Sequence, residues 1–254
     1  MNKTRIPSPH PKIRLYEVTY ISDEMPVKGY LAIPDGNKTW PGLLYLRGGI
    51  KNVGMVRIQR MIQWASEGMV VFAPFYRGNK GGQGHEDFCG HDRNDAIAAF
   101  DVMKSMPEVD SGSIHIVGFS RGAVMALFTA LARDEVKTVT CWSGVSDMVL
   151  TYEERIDLRR MMKRVIGGTP SKYPERFSWR TPLSRINQLV PRLLIIHGFV
   201  DQHVSVEHAY RLNNECIRHQ KDVTFWLFPM FEHQFPLKAQ QRTLTRAANW
   251  MRES

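Results

Sequence analysis

The stretch Ser113-Ile-His-Ile-Val-Gly-Phe-Ser120-Arg-Gly122 runs at once into the apolar segment Ala123 to Ala132. Its first part is rich in β-branched and aromatic residues and reads as a buried strand. The segment after it is apolar nearly all round, as a buried helix is. Between them, Gly118-Phe119-Ser120-Arg121-Gly122 is G-x-S-x-G in a setting of strand, tight turn and helix. That setting explains the glycines. A serine on a strained turn projects its hydroxyl from the sheet edge, and side chains at 118 and 122 would collide with neighbouring backbone. The helix beyond it turns free N–H groups and its positive end toward any oxyanion formed there. Ser120 is the candidate nucleophile.

Outward from this turn, strand and helix patterns alternate. Upstream, residues 13–20 and 27–33 read as two short strands joined by a turn, and Gly42 to Leu46 as a strand buried on both faces. Ile58, Met61, Ile62 and Ala65 recur at helical spacing, then Met69 to Phe75 is apolar, then Ala96, Ala99, Phe100 and Met103 mark a helix. Downstream, strands are expected at 136–142, 193–196 and 223–228, with helices carrying Ala209 to Cys216 and Leu244 to Met251. This alternation predicts an α/β protein with a mostly parallel central sheet of about eight strands flanked by helices, and the G-x-S-x-G turn in its midst points to an α/β-hydrolase fold. The two leading strands suit an antiparallel edge. The chain reads as one domain over 1–254. Residues 145–190 break the rhythm, are rich in Arg, Met, Tyr and Trp, and are expected to form a lid or cap insertion.

A serine hydroxyl needs a base to take its proton, and the base needs a carboxylate to orient it. In this fold the order along the chain is serine, acid, histidine. Strand 193–196 leads to Asp201 and strand 223–228 leads to His233, so each candidate leaves the carboxyl end of a strand, where Ser120 also sits. Asp201 is the expected acid and His233 the expected base. Asp147, after strand 136–142, is the rival acid. Glu232 adjoins the histidine, but neighbouring side chains on a loop rarely face each other. His197 reads as a structural hydrogen-bonding group. The oxyanion site needs two backbone donors. Arg121, next after the serine, should give one; Gly49 should give the other, with Gly48 as the alternative, from the loop Leu46-Arg-Gly-Gly49.

Two other motifs carry less. Gly78 to Gly84 lacks the Gly-Lys-Ser/Thr ending of a phosphate loop and reads as a mobile loop beside the site. His85, Cys89, His91 and Asp92 are close together but match no common zinc spacing. The reading therefore requires neither a metal nor an organic cofactor.

The chain has 254 residues, 43% of them hydrophobic, enough for one domain with a core. No apolar run is long enough to span a membrane, and Met1 to Lys12 does not resemble a secretion signal. Cys89, Cys141 and Cys216 are scattered and odd in number. These features predict a cytoplasmic protein without disulfides. A net charge of +9 could suit nucleic acid, but the basic residues are dispersed, apart from Arg155, Arg159, Arg160, Lys163 and Arg164 at helical spacing. The expected partner is a small ester or peptide substrate, with no nucleic acid and no membrane; the oligomeric state stays open.

From about residue 40 to 252 the sequence resembles the catalytic domain of the prolyl oligopeptidase family, particularly its stand-alone esterase-like members. The likeness rests on Arg47-Gly-Gly, Tyr76-Arg-Gly78, the Gly118–Gly122 turn, Ile166-Gly-Gly-Thr-Pro170, Thr181-Pro-Leu183, Leu194 to Asp201 and Phe228 to His233. The resemblance implies a serine hydrolase, esterase or peptidase, with Ser120, Asp201 and His233 as triad. The sequence departs from family habit at Arg47, Arg121, Glu232 and Ser205. Those departures bear on peptidase specificity rather than on hydrolysis. A hydrolase-fold binding protein without turnover is the reading from another class.

Overall fold

In the computed structural model, which describes residues 1–253, burial alternates along the strands and divides the core into two clusters, one on each face of a single sheet. On β5 (Val70–Pro74), Val70 and Phe72 enter one cluster while Val71 and Ala73 enter the other. On β8 (Arg192–Gly198), Leu193 and Ile195 oppose Leu194 and Ile196 in the same way. Strands buried on both faces need helices on both sides. One face carries α2 (Arg93–Lys104), α3 (Gly122–Ala132) and α7 (Val206–Arg218); the other carries α1 (Ile58–Ser66) and α8 (Leu237–Arg252).

The sheet has nine strands in the order β1-β2-β3-β5-β4-β6-β7-β8-β9. The remaining strands are β1 (Asn2–Ile6), β2 (Ile13–Ser22), β3 (Met25–Pro34), β4 (Trp40–Leu46), β6 (Val109–Phe119), β7 (Thr138–Trp142) and β9 (Val223–Phe228). From β5 through β9 all neighbours are parallel; β1, β2 and β3 form the antiparallel edge. The expectation of about eight strands is one short. The extra strand is β1, four of whose five residues are exposed. It pairs with β2 through backbone hydrogen bonds and buries little, so its side chains show no alternation to read.

Residues 145–190 lie between β7 and β8 as a chain of short helices: α4 (Met148–Glu154), a 3-10 turn (Ile156–Leu158), α5 (Arg159–Met162) continuing into a π-turn (Lys163–Gly167), α6 (Pro174–Ser178) and a second 3-10 turn (Leu183–Gln188). Within it, Met162, Ile166, Phe177 and Ile186 are buried. Polar links tie it to the body: Arg155 donates to the His203 carbonyl at 3.0 Å, and Arg93 to the Trp179 carbonyl at 2.9 Å.

Candidate active site

At the carboxyl end of β6 the chain turns so sharply that Ser120 adopts φ +55°, strained for a residue with a side chain. Its amide donates to the Trp142 carbonyl at 3.0 Å, and its carbonyl accepts from Ala123 and Val145. A methyl group at Gly118 would lie 2.3 Å from the Gly122 carbonyl oxygen, and one at Gly122 would lie 2.1 Å from that of Leu46. Both glycines of the motif are therefore demanded by backbone contact, and the tight turn carries Ser120 to the rim of the sheet.

Asp201 and His233 arrive from the neighbouring strand ends. Asp201 Oδ2 meets His233 Nδ1 at 2.7 Å. Its other oxygen accepts from the amides of His203 and Val204 at 2.8 and 2.9 Å. Burial would raise the Asp201 pKa, but the His233 bond and the two amide bonds outweigh it and hold the carboxyl below its ordinary value. The carboxylate thus stays ionised against the imidazole. The Phe119 ring lies 5.0 Å from that of His233, and His203 stands 5.3 Å away on another side. Among the described residues, no hydrogen bond joins Ser120 to His233; both border one cavity of about 450 Å³. A loose serine–histidine contact is common before substrate binds.

Asp147 and Glu232 are placed elsewhere, whereas His197 Nε2 lies 3.6 Å from Asp201 Oδ2. Asp147 caps α4, accepting from the amides of Val149 and Leu150, and its second oxygen pairs with Arg211 at 2.8 Å. Glu232 is exposed. His197 is buried, with Nε2 bonded to the Val204 carbonyl at 2.9 Å; burial pulls its pKa down and keeps the ring neutral.

The glycine pair after β4 sits directly against the turn. A methyl at Gly48 would come within 2.6 Å of Ser120 Cβ. The Gly48 carbonyl accepts from Arg47 Nη1 at 3.0 Å, and that guanidinium is buried. In a trans peptide the next N–H points the opposite way, so the Gly49 amide is turned away from Arg47. Gly48, Gly49 and Arg121 all border the cavity with Ser120.

Beneath this loop lies an ionic cluster that the sequence reading missed. Arg47 pairs with Glu86 at 2.6 Å, and Arg121 pairs with both Glu86 and Asp92, the latter at 2.9 Å. All four are buried. Two guanidiniums face two carboxylates, and burial pushes the Asp92 carboxyl up to about 7. Glu86 also accepts from Asn79 and from the Lys51 amide. Tyr76 is flanked by the two arginines, each 5.1 Å from its ring, and its hydroxyl donates to the Arg47 carbonyl. Burial would lower the Arg121 pKa; the two carboxylates more than reverse that, so it stays charged. A signal existed in the sequence. Arginines at 47 and 121, next to two candidate oxyanion donors, each require a nearby carboxylate once buried.

One side reading changes. The loop Gly78 to Gly84 does not border the cavity; Gln83 donates to the Pro26 carbonyl, and the loop packs beside β3. Of the residues considered for zinc, Asp92 is committed to Arg121, Cys89 is buried, and His91 packs edge-on to Trp179. No group of three or more potential ligands is arranged to hold a metal among the described residues.

Nine strands with parallel crossovers, and a positive-φ serine at the end of β6, define an α/β-hydrolase-fold protein. The chain belongs to the prolyl oligopeptidase family, whose model matches residues 56–254. It is 51% identical over 253 residues to a Bacillus subtilis (strain 168) protein named uncharacterized peptidase YtmA, covering 99% of this chain and 98% of that one. Dipeptidyl-peptidase 5 of Porphyromonas gingivalis is 26% identical over 202 residues, 69% of this chain but only 28% of that longer protein. Among solved structures, Pyrococcus horikoshii acylaminoacyl peptidase superposes with TM-score 0.80 at 19% identity, over 95% of this chain and 41% of its own. Acetyl xylan esterase 1 of Thermoanaerobacterium sp. gives TM-score 0.79 at 14% identity, over 98% and 87%. At such identities the structures share the fold. Among the described residues no helix is long and apolar enough to cross a membrane.

Proposed function

We propose that this protein is a serine hydrolase that cleaves a small ester or short peptide through an acyl-enzyme on Ser120. The observation that carries the proposal is the convergence, at one cavity, of a positive-φ serine and a histidine bonded at 2.7 Å to a buried carboxylate. Ser120 Oγ attacks the substrate carbonyl carbon as His233 Nε2 takes its proton. Asp201 fixes the ring with Nδ1 protonated and stabilises the imidazolium. The Arg121 and Gly49 amides, with Gly48 as the alternative to Gly49, receive the oxyanion. The imidazolium gives its proton to the leaving group, and water then attacks the acyl-enzyme by the same route in reverse.

In this reading residues 1–254 act as one hydrolase domain, with 145–190 as its lid. Val145, Thr151, Leu158 and Met161 of that segment border the cavity and would shape the pocket for one half of the substrate. The three cysteines are free and buried, which suits a reducing cytoplasm. Peptide substrates are supported by the name of the 51% identical relative, and ester substrates by the fold shared with the xylan esterase.

The test is treatment with a fluorophosphonate followed by intact-mass measurement, beside Ser120→Ala. One adduct on the unsubstituted protein and none on the variant is expected. No adduct on either would favour a binding protein without turnover. Matched ester and anilide substrates then separate esterase from peptidase.

A further inference from the structure

The arginines of this chain show an asymmetry. Each fully buried one has a carboxylate: Arg47 with Glu86 at 2.6 Å, Arg77 with Asp95 at 2.7 Å, Arg121 with Asp92 at 2.9 Å, and Arg180 with Asp87 at 3.5 Å. Arg155, on the lid side of the cavity, is tied to Asp157. Arg60 is half-buried and borders the same cavity as Ser120, yet no carboxylate acts on it; its charged or polar neighbours are the Tyr45 hydroxyl and Arg57. Burial and Arg57 both work against its charge, and Tyr45 is itself kept protonated by burial. Arg57, exposed at the mouth, makes no ion pair among the described residues. A partly desolvated guanidinium without a counterion leaves free energy that an anion can recover.

Arg60 and Trp64 stand four residues apart on α1, hence on one helix face, and Arg57 is the extended residue that leads into it. Arg57 precedes the first turn of α1, which carries no acidic residue and no side-chain cap, so the helix end adds to the positive field. The cavity that Arg57 and Arg60 border is lined also by Tyr45, Trp64, Val117 and Trp142. It combines apolar wall with two uncompensated cations.

We propose that the substrate of this site carries a carboxylate, held by Arg57 and Arg60 beside an apolar body. This rests on the hydrolase reading for the word substrate; the binding it asserts does not need turnover. Two kinds of molecule share that chemistry: a short peptide with a free C-terminal carboxylate, and an ester or amide of a dicarboxylic acid.

The experiment uses the Ser120→Ala protein, so that binding is read without cleavage. Calorimetric titration with 4-phenylbutyrate is compared with its neutral analogue 4-phenylbutyramide. The carboxylate is expected to bind about tenfold more tightly, an advantage lost when Arg57→Gln and Arg60→Gln are added and largely kept by Arg60→Lys. Equal or weaker binding of the carboxylate to Ser120→Ala overturns the proposal, as does a preference that survives removal of both arginines. Should Arg60→Gln fail to fold, Arg57→Gln and Arg60→Lys with the two probes still decide. With Ser120 intact, succinyl against butyryl 4-nitrophenyl ester, and free-acid against amidated peptide, show which half of the substrate bears the charge. Carboxylate binding together with inertness toward every ester and peptide would count against the hydrolase reading and for the anion site.

Discussion

At the scale of single residues, charge pairing holds the loop after β4 against the turn at Ser120. Glu86 faces two guanidiniums, and removing its charge leaves Arg47 and Arg121 buried against Asp92 alone. Glu86→Gln is expected to cost about 3–5 kcal/mol in urea unfolding, because an uncompensated buried charge is left behind. It should also lower kcat, since Arg47 fixes the Gly48 carbonyl. A loss under about 1 kcal/mol would show that the cluster rearranges freely. The two candidate acids separate at this scale as well. Asparagine caps helices as well as aspartate does, so Asp147→Asn should retain activity within about threefold. Asp201→Asn should cut kcat by about 10⁴, by presenting the imidazole in the wrong tautomer. Near-normal turnover in Asp201→Asn, with loss in Asp147→Asn, would transfer the role.

At the scale of elements, β6 links the core to the turn that carries Ser120, and a histidine lies within it. His115 is buried between β4 and β7, with Nδ1 2.8 Å from Thr138 Oγ1. Burial, helped by Lys137 and Arg252, lowers its pKa to about 4. The unfolded chain therefore binds this proton at higher pH than the folded chain does. Stability from this group is complete above the unfolded value near 6.5 and is lost as pH falls toward 4, by up to about 3 kcal/mol. His115→Asn should flatten that part of the slope when urea unfolding is measured at pH 7, 5.5 and 4. Parallel slopes in the two proteins would show that His115 is not the source.

The same strand shows why parts of the molecule were legible in sequence. The reading of β6, the turn and α3 rests on neighbours in the chain: β-branched runs, two glycines that backbone contacts require, and an apolar helix. Asp201 and His233 could be placed because each closes a short loop after a strand. β1 could not, since an exposed edge strand pairs by backbone and leaves no burial pattern. Glu86 could not either. Its partners Arg47 and Arg121 are 39 and 35 residues away, and only the fold brings them together.

At the scale of the whole molecule, the net charge of +9 and the proposed carboxylate site at Arg57 and Arg60 would act in the same direction. A positively charged protein draws anionic substrates toward it by a field that mobile ions screen over about 10 Å at 0.1 M salt. The cavity that holds Ser120 opens beside Arg57, so the steering would end at the site itself. For a carboxylate-bearing ester, kcat/KM should fall severalfold as sodium chloride is raised from about 20 to 300 mM, with most of the change in KM. A neutral ester of the same size should change little, which separates steering from a general effect of salt on the protein. Arg57→Gln should reduce the slope for the anionic ester, because the charge nearest the mouth is gone while the net charge changes by only one. If both esters respond equally, the dispersed surface charge plays no part in substrate capture. If the anionic ester alone responds and Arg57→Gln leaves its slope intact, capture belongs to the overall field rather than to the pocket mouth.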